Sequence, residues 1–288
     1  MNYSRDWRVI SASDGQDAFT NMAVDEAIAR TMVGSENGSA LTLRIYTWSP
    51  NSISIGYFQK ISDIVKELCK DPGCHSESAS GGRRISHPPR FFASLRMTTR
   101  CRDTFLGSLA DDIGLKDSNR NFDIVRRPTG GTAVVHDGGP SFSLILKDGQ
   151  RMPSTKITDL YSLMGRCVVE ALRHLDVSST IWNGPKGPVT ARGSNLCVTS
   201  LCPYDVVYQG EKVAGYAARR FQGVTLLQGY ITLTDGLVAQ ELRDAMIDAV
   251  KGVTGAKFLD GALTEEENAL ATRLRADKYT RREWNYKR

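Results

Sequence analysis

The sequence predicts an α+β fold, a mixed, largely antiparallel sheet flanked by helices. β-Rich runs cluster at 41–58, 122–146 and 204–233, and amphipathic helical patterns fall before, between and after them. Strands and helices do not alternate strictly, which argues against a doubly wound parallel sheet.

The first element reads as a helix, because Met22, Ala23, Ala27, Ile28 and Met32 recur at helical spacing. Residues 41–48 and 52–58 are rich in β-branched and aromatic side chains, with Ser49-Pro50-Asn51 between them as a turn, so a hairpin is expected. A short helix is expected at 61–70. At Asp71-Pro72-Gly73 the character of the chain changes. From about 72 to 120 it carries Gly-Gly, Pro-Pro and scattered arginines without sustained periodicity, which reads as a disordered insertion projecting from one domain that spans 1–288. Three short β-rich runs follow, at 122–128, 132–137 and 141–146. A helix over 157–175 places Ile157, Leu160, Leu163, Met164, Val168 and Leu172 along one side. Residues 204–220 and 221–233 read as paired strands with a Gln209-Gly210 turn, and two last helices are expected near 235–251 and 264–277.

Composition narrows the class. With 41% hydrophobic and 24% charged residues, the 288-residue chain has the make-up of a globular protein. No apolar run is long enough to span a bilayer, and residues 1–9 lack the apolar core of a secretory signal, so a cytoplasmic location without membrane contact is expected. The six cysteines form neither a disulfide framework nor paired C-x-x-C clusters. The four histidines make no metal-ligand constellation. The net charge of +5 owes much to Arg83, Arg84, Arg90, Arg96, Arg100 and Arg102 in the insertion, and alone it does not choose between nucleic acid and an acidic or phosphorylated partner.

The segment Arg126-Arg127-Pro128-Thr129-Gly130-Gly131-Thr132-Ala133-Val134-Val135-His136-Asp137 carries the strongest chemical signal. Paired glycines after a strand let the backbone approach a ligand, and the flanking N–H groups and arginines favour an anion or a polarised carbonyl. A plain turn between two strands would have the same appearance.

This segment resembles the R-R-x-[ST]-G-G-x-A-V-x-H-D signature of the biotin/lipoate protein ligase and octanoyltransferase superfamily. NMAVDEAI, SISIGYFQ, GEKVAGYAARR and KYTRREWNYKR resemble other family segments in the same order, so the likeness covers nearly all of the chain outside 72–120. The resemblance implies a class II biotin/lipoate ligase-like catalytic domain. It also implies a substrate tunnel built from the glycine turn (Arg126, Arg127, Thr129, Gly130, Gly131, Ala133, His136) and from the lysine-bearing strand (Lys212, Gly215, Ala217). Lys212 matches the family lysine, and Cys197, fifteen residues earlier, matches the nucleophile of the cysteine-dependent octanoyltransferases. A thiol beside an ammonium is acidified toward the thiolate needed to take an acyl group as a thioester. Cys202 is the rival nucleophile. His136 is read equally as a catalytic group and as a structural hydrogen-bonding unit.

The implied reaction moves an octanoyl or lipoyl group from acyl carrier protein to a lysine of a lipoyl domain or of the glycine-cleavage H protein, with no cofactor and no nucleic-acid partner. The alternative is lipoate ligation through lipoyl-AMP, which needs ATP and Mg²⁺. Two departures from the ligase pattern favour transfer. Thr132 stands where typical ligases carry a third glycine, and only a short tail follows residue 277, so an accessory C-terminal domain is not expected, although some ligases are compact or carry that domain on a separate chain. Gln228-Gly229 replaces the His-Gly of many relatives, which excludes a general base there.

Overall fold

A computed structural model describes residues 6–12, 15–34, 41–49, 52–64, 123–136, 138–148, 156–185, 187–188, 200–232 and 237–287. Cys197 and the insertion at 72–120 lie outside the described residues. The chain runs β1 (Asp6–Ser11), α1 (Ala18–Gly34), β2 (Leu41–Tyr46), β3 (Ser52–Ile55), β4 (Asp123–Arg126), β5 (Val134–His136), β6 (Ser141–Lys147) and α2 (Ile157–His174). It continues with β7 (Thr180–Ile181), β8 (Gly187–Pro188), β9 (Ser200–Leu201), β10 (Val206–Tyr208), β11 (Glu211–Phe221) and β12 (Val224–Ile231). Helix α3 (Ala239–Thr254), β13 (Lys257–Asp260), α4 (Glu265–Leu274), a π-helical turn (Arg275–Tyr279) and α5 (Arg282–Asn285) complete it.

The main sheet has the order β13-β1-β2-β6-β12-β11-β10-β7, and a smaller sheet has the order β4-β3-β5. Among the named strands of the described residues the pairs β1–β13, β1–β2 and β3–β4 are parallel and the rest antiparallel, so the expected mixed, largely antiparallel sheet is what forms. The expected hairpin of 41–48 with 52–58 does not form. β2 pairs with β1 and β6, whereas β3 crosses into the small sheet between β4 and β5. Every residue of β2 and β3 is buried, so neither strand presents the solvated face of a simple hairpin. β1 and β13 had no expectation attached to them, and their parallel pairing closes one edge of the main sheet.

Alternation along the strands decides what packs where. On one face Leu43, Phe142, Leu144 and Leu227 meet the apolar stripes of α2 and α3. On the other, Tyr46, Ile145, Leu226 and Val224 meet α1 and α4. Helix α1 starts where Asp17 accepts from the backbone N–H groups of Phe19 and Thr20, an N-cap that satisfies two otherwise orphaned donors. The small sheet lies on the α1 side and carries the glycine turn on the β4–β5 connection.

Arg126 is fully buried, and its guanidinium donates to the carbonyls of Gly56, Tyr57 and Gln59 at 2.7–3.1 Å and to those of Trp284 and Asn285 at 2.9–3.2 Å. It fastens the α5 segment to the turn after β3. The expectation that Arg126 holds substrate is therefore corrected: its donors are spent on the protein's own backbone. Removing them would leave several buried carbonyls unsatisfied, so Arg126→Ala is expected to cost about 3 kcal/mol or more. Thermal unfolding should show a Tm lower by roughly 6–12 °C; a Tm within about 2 °C of the parent would contradict the stapling role.

Candidate active site

A narrow, largely apolar cavity of about 400 Å³, mouth included, lies between α1, the glycine turn and the α1-side face of β11 and β12. Met22, Tyr46, Trp48, Val134 and Tyr230 give it an apolar wall, which suits an alkyl chain rather than a sugar or a nucleotide base. Of the residues expected to hold substrate, Arg127, Gly131, His136, Gly215 and Ala217 line it.

The glycine turn is held against β3 by backbone contact. Gly131 has φ +85°, a conformation that favours glycine, and a Cβ on Gly56 would collide with the Gly131 carbonyl. Arg127 fixes the turn from within, donating to the Gly130 and Thr132 carbonyls at 3.0 and 2.9 Å and to Ser54 O and Oγ at 2.9 and 2.7 Å. Thr129 and Ala133 are buried and absent from the cavity wall, as is Gly130. Thr129 Oγ1 instead donates to Gln228 Oε1 at 2.7 Å, and Gln228 Nε2 donates to Asp25 Oδ2 at 2.7 Å. These three expected site residues thus shape the turn rather than touch its contents.

His136 stacks flat on Trp48, with ring centroids 3.6 Å apart, and its Nε2 lies 2.8 Å from Ser54 Oγ. Ser54 Oγ accepts from Arg127 and keeps its own proton, which it can donate to Nε2 of a neutral imidazole. Enclosure first, and the Arg127 charge second, hold its pKa well below the ordinary histidine value. The ring lies between the Trp48 side of the wall and Ser54.

Lys212 is not itself part of the cavity wall, but a break in strand register turns it to the side of Gly215, which is. Val206 pairs with Ala214 but Val207 pairs with Lys212, so β11 carries one extra residue, a β-bulge. Without the bulge Lys212 would share the face of Ala214, packed on the helices. With it, Lys212 shares the face of Gly215 and Ala217, since a one-residue shift reverses side-chain direction. Its side chain folds over Gly215, where a Cβ would sit 2.6 Å from Lys212 Cε and 2.8 Å from Nζ. The ammonium is 2.6 Å from Asp205 Oδ2 and donates to Ser200 O at 3.2 Å, with the Lys212 and Asp205 side chains 3% and 4% exposed.

Asp205 had no role in the sequence reading. Its one signal is a carboxylate seven residues before the lysine, a spacing without meaning until the hairpin and its bulge are known. Gly56 and Trp48 were also passed over. Among the described cysteines, Cys167 is buried in the core and burial pushes its thiol up to about 12, while Cys202 is half-buried beside Asp205.

A buried neutral imidazole has a linkage consequence. The folded pKa of His136 lies below the unfolded one, so its contribution to stability is intact above about pH 6.5 and is lost as pH falls below that value. NMR of the His136 Cε1–H resonance should show no titration near pH 6.5; a midpoint at or above about 6.5 would refute the enclosure.

Comparison with known proteins places this geometry. Residues 113–255 match the model of the lipoyl protein ligase A/B catalytic domain. The chain is 27% identical to the octanoyltransferase LipM of Kyrpidia tusciae and 29% identical to that of Brevibacillus brevis, in both cases over 98% of this chain and 99% of the relative. Among solved structures, a lipoate-protein ligase A bound with ATP aligns with a TM-score of 0.63 at 21% identity, over 99% of each chain. A bipartite lipoate protein ligase from Thermoplasma acidophilum, solved with its E2 lipoyl domain, aligns with a TM-score of 0.57 at 20% identity, over 99% of this chain and 97% of the other. With the signature turn, the lysine-bearing strand and the ligase fold all in place, the chain is similar to the lipoyl protein ligase A/B catalytic domain and to octanoyltransferases of the biotin/lipoate protein ligase superfamily.

Proposed function

We propose that the protein is an octanoyltransferase of lipoate metabolism, moving an octanoyl group from acyl carrier protein to the lysine of a lipoyl carrier domain through a thioester on Cys197. The observation that carries this reading is the Lys212 ammonium, turned by the β11 bulge to lie over Gly215, a residue of the apolar cavity's wall. The near full-length likeness to octanoyltransferases supports it.

In the first step the Cys197 thiolate attacks the donor thioester carbonyl. A new C–S bond forms, and the carrier's sulfur leaves as a thiolate when the old C–S bond breaks. In the second, the neutral amine of the acceptor lysine attacks octanoyl-Cys197; the amide C–N bond forms, the Cys197 thiolate leaves and the amine loses a proton. Each step passes through an oxyanion, and a cation beside it lowers the barrier, the more so against an apolar wall of low local dielectric. Arg127 and His136 keep the glycine turn in place, and Gly131 and Ala217 leave room for the chain. No cofactor enters this scheme. A lipoyl domain or the glycine-cleavage H protein would serve as acceptor in the cytoplasm, and among the described residues no helix is long and apolar enough to cross a membrane.

Octanoyl carrier protein and an apo lipoyl domain, mixed with the protein in the absence of ATP, should give octanoylated lipoyl domain. Intact-mass analysis without acceptor should show one octanoyl adduct on Cys197. Cys197→Ala should abolish transfer, and Lys212→Ala should lower kcat roughly a hundredfold to a thousandfold. Product formed only with free lipoate, ATP and Mg²⁺ would establish the ligase reaction instead.

A further inference from the structure

The carboxylate beside Lys212 is the strongest feature that the reaction scheme above leaves unused. Asp205 is held more firmly than an incidental partner would be. Its Oδ2 accepts from the Cys202 backbone N–H at 2.7 Å, its own N–H donates to Cys202 O at 3.1 Å, and its carbonyl accepts from Trp182 N–H at 2.7 Å. The preceding residue, Tyr204, takes φ +76° to make that turn, a conformation rare for a tyrosine, and its N–H donates to Trp182 O at 2.9 Å. The other oxygen, Oδ1, lies 3.3 Å from the place a Gly215 side chain would occupy, so carboxylate and ammonium meet over the same bare stretch of backbone. Glycine at 215 keeps that space empty of everything except Lys212.

We propose that Asp205 is the positioning residue for Lys212, a fixed anion that holds the ammonium over Gly215 at the cavity edge, where the acyl carbonyl is attacked. This rests on the octanoyl-transfer reading and adds to it the residue that sets the lysine's place and charge. A lysine chain has several rotatable bonds, and a misplacement of about 1 Å can cost a hundredfold in rate. The rigid carboxylate removes that freedom. Burial raises the Asp205 pKa and the Lys212 charge lowers it, with burial the larger influence. The other titratable groups facing the pair are Tyr161 from α2, Tyr216 from β11 and Cys202. Both tyrosines are held above their ordinary values by burial first, with the Asp205 charge adding to it.

The test uses the full chain with octanoyl carrier protein and an apo lipoyl domain, comparing the parent with Asp205→Asn and Asp205→Glu. Asparagine keeps an acceptor for the Cys202 N–H but removes the counter-ion, which favours the neutral amine. Its kcat should fall roughly tenfold to a hundredfold. KM for the acyl donor should stay within about twofold, and the alkaline limb of the kcat profile should move to lower pH while glutamate restores the limb in part. Parent kcat and an unmoved limb in Asp205→Asn would overturn the proposal, as would a loss of kcat equal in both variants with no movement of the limb. Should Asp205→Asn not fold, Gly215→Ala provides the second arm, since it displaces Lys212 while keeping both charges. It should lower kcat without moving the limb, and full activity there would also overturn the proposal. If the parent itself forms no octanoyl product, the transfer reading fails separately. The role of Asp205 is then decided by acetic anhydride labelling of Lys212 across pH, read by peptide mass. Labelling of Asp205→Asn should begin at lower pH than in the parent, and coincident curves would refute the pairing.

Discussion

A buried carboxylate on α1 sets the spacing on which the cavity depends. Asp25, fully buried, receives the Arg44 guanidinium at 2.8 Å, the Tyr46 hydroxyl at 3.0 Å and the Gln228 amide at 2.7 Å, and Ser143 completes the set. These partners come from β2, β6 and β12, so one side chain ties the helix to three neighbouring strands. A buried charge of this kind is tolerable only when its hydrogen bonds are all made, so the helix cannot slide without stranding it. Through Gln228 the same network reaches Thr129 and fixes the base of the glycine turn. The cavity between helix, turn and sheet is the space left over once these bonds are made.

Much of this was legible in the sequence, for identifiable reasons. The β10–β11 hairpin was readable because Gly210, at φ +80°, marks a turn between two β-rich runs, although Gln209 at φ +50° gives no such signal, and α2 was readable because its apolar stripe is clean. The mixed sheet followed from the order of the runs. The failures share a cause: pairing partners are set by tertiary packing, not by nearness along the chain. Residues 41–48 and 52–58 look like a hairpin because strand propensity and a turn are local properties. The burial of both strands on every side, which sends β3 into another sheet, is not local. β1 and β13 are short and irregularly patterned, and their parallel pairing joins residues some 250 positions apart.

The site divides the same way. Glycines announce themselves, and Gly131, Gly215 and Ala217 do line the cavity. Arginines do not disclose whether they face a ligand or a backbone: adjacent Arg126 and Arg127 point to different sides of β4, the first into the α5 anchor and the second into the turn. Motif matching assigned both to substrate because a signature records which residues recur and not where their donors go. Asp205 escaped for the opposite reason, since nothing in its own segment marks it and its meaning comes entirely from the strand opposite.

The β11 bulge also bears on how a protein of this kind can change. Which side of the sheet Lys212 faces is a matter of odd or even count along one strand, and not of the side chain's identity. Straightening the strand without losing a residue would leave composition, charge and the lysine itself intact while turning the amine toward the aliphatic side chains of α2. Length and bulge are accordingly constrained together: a homologue lacking both the extra residue and the bulge would hold its lysine on the Gly215 side by plain alternation, where one that kept the length but lost the bulge would not.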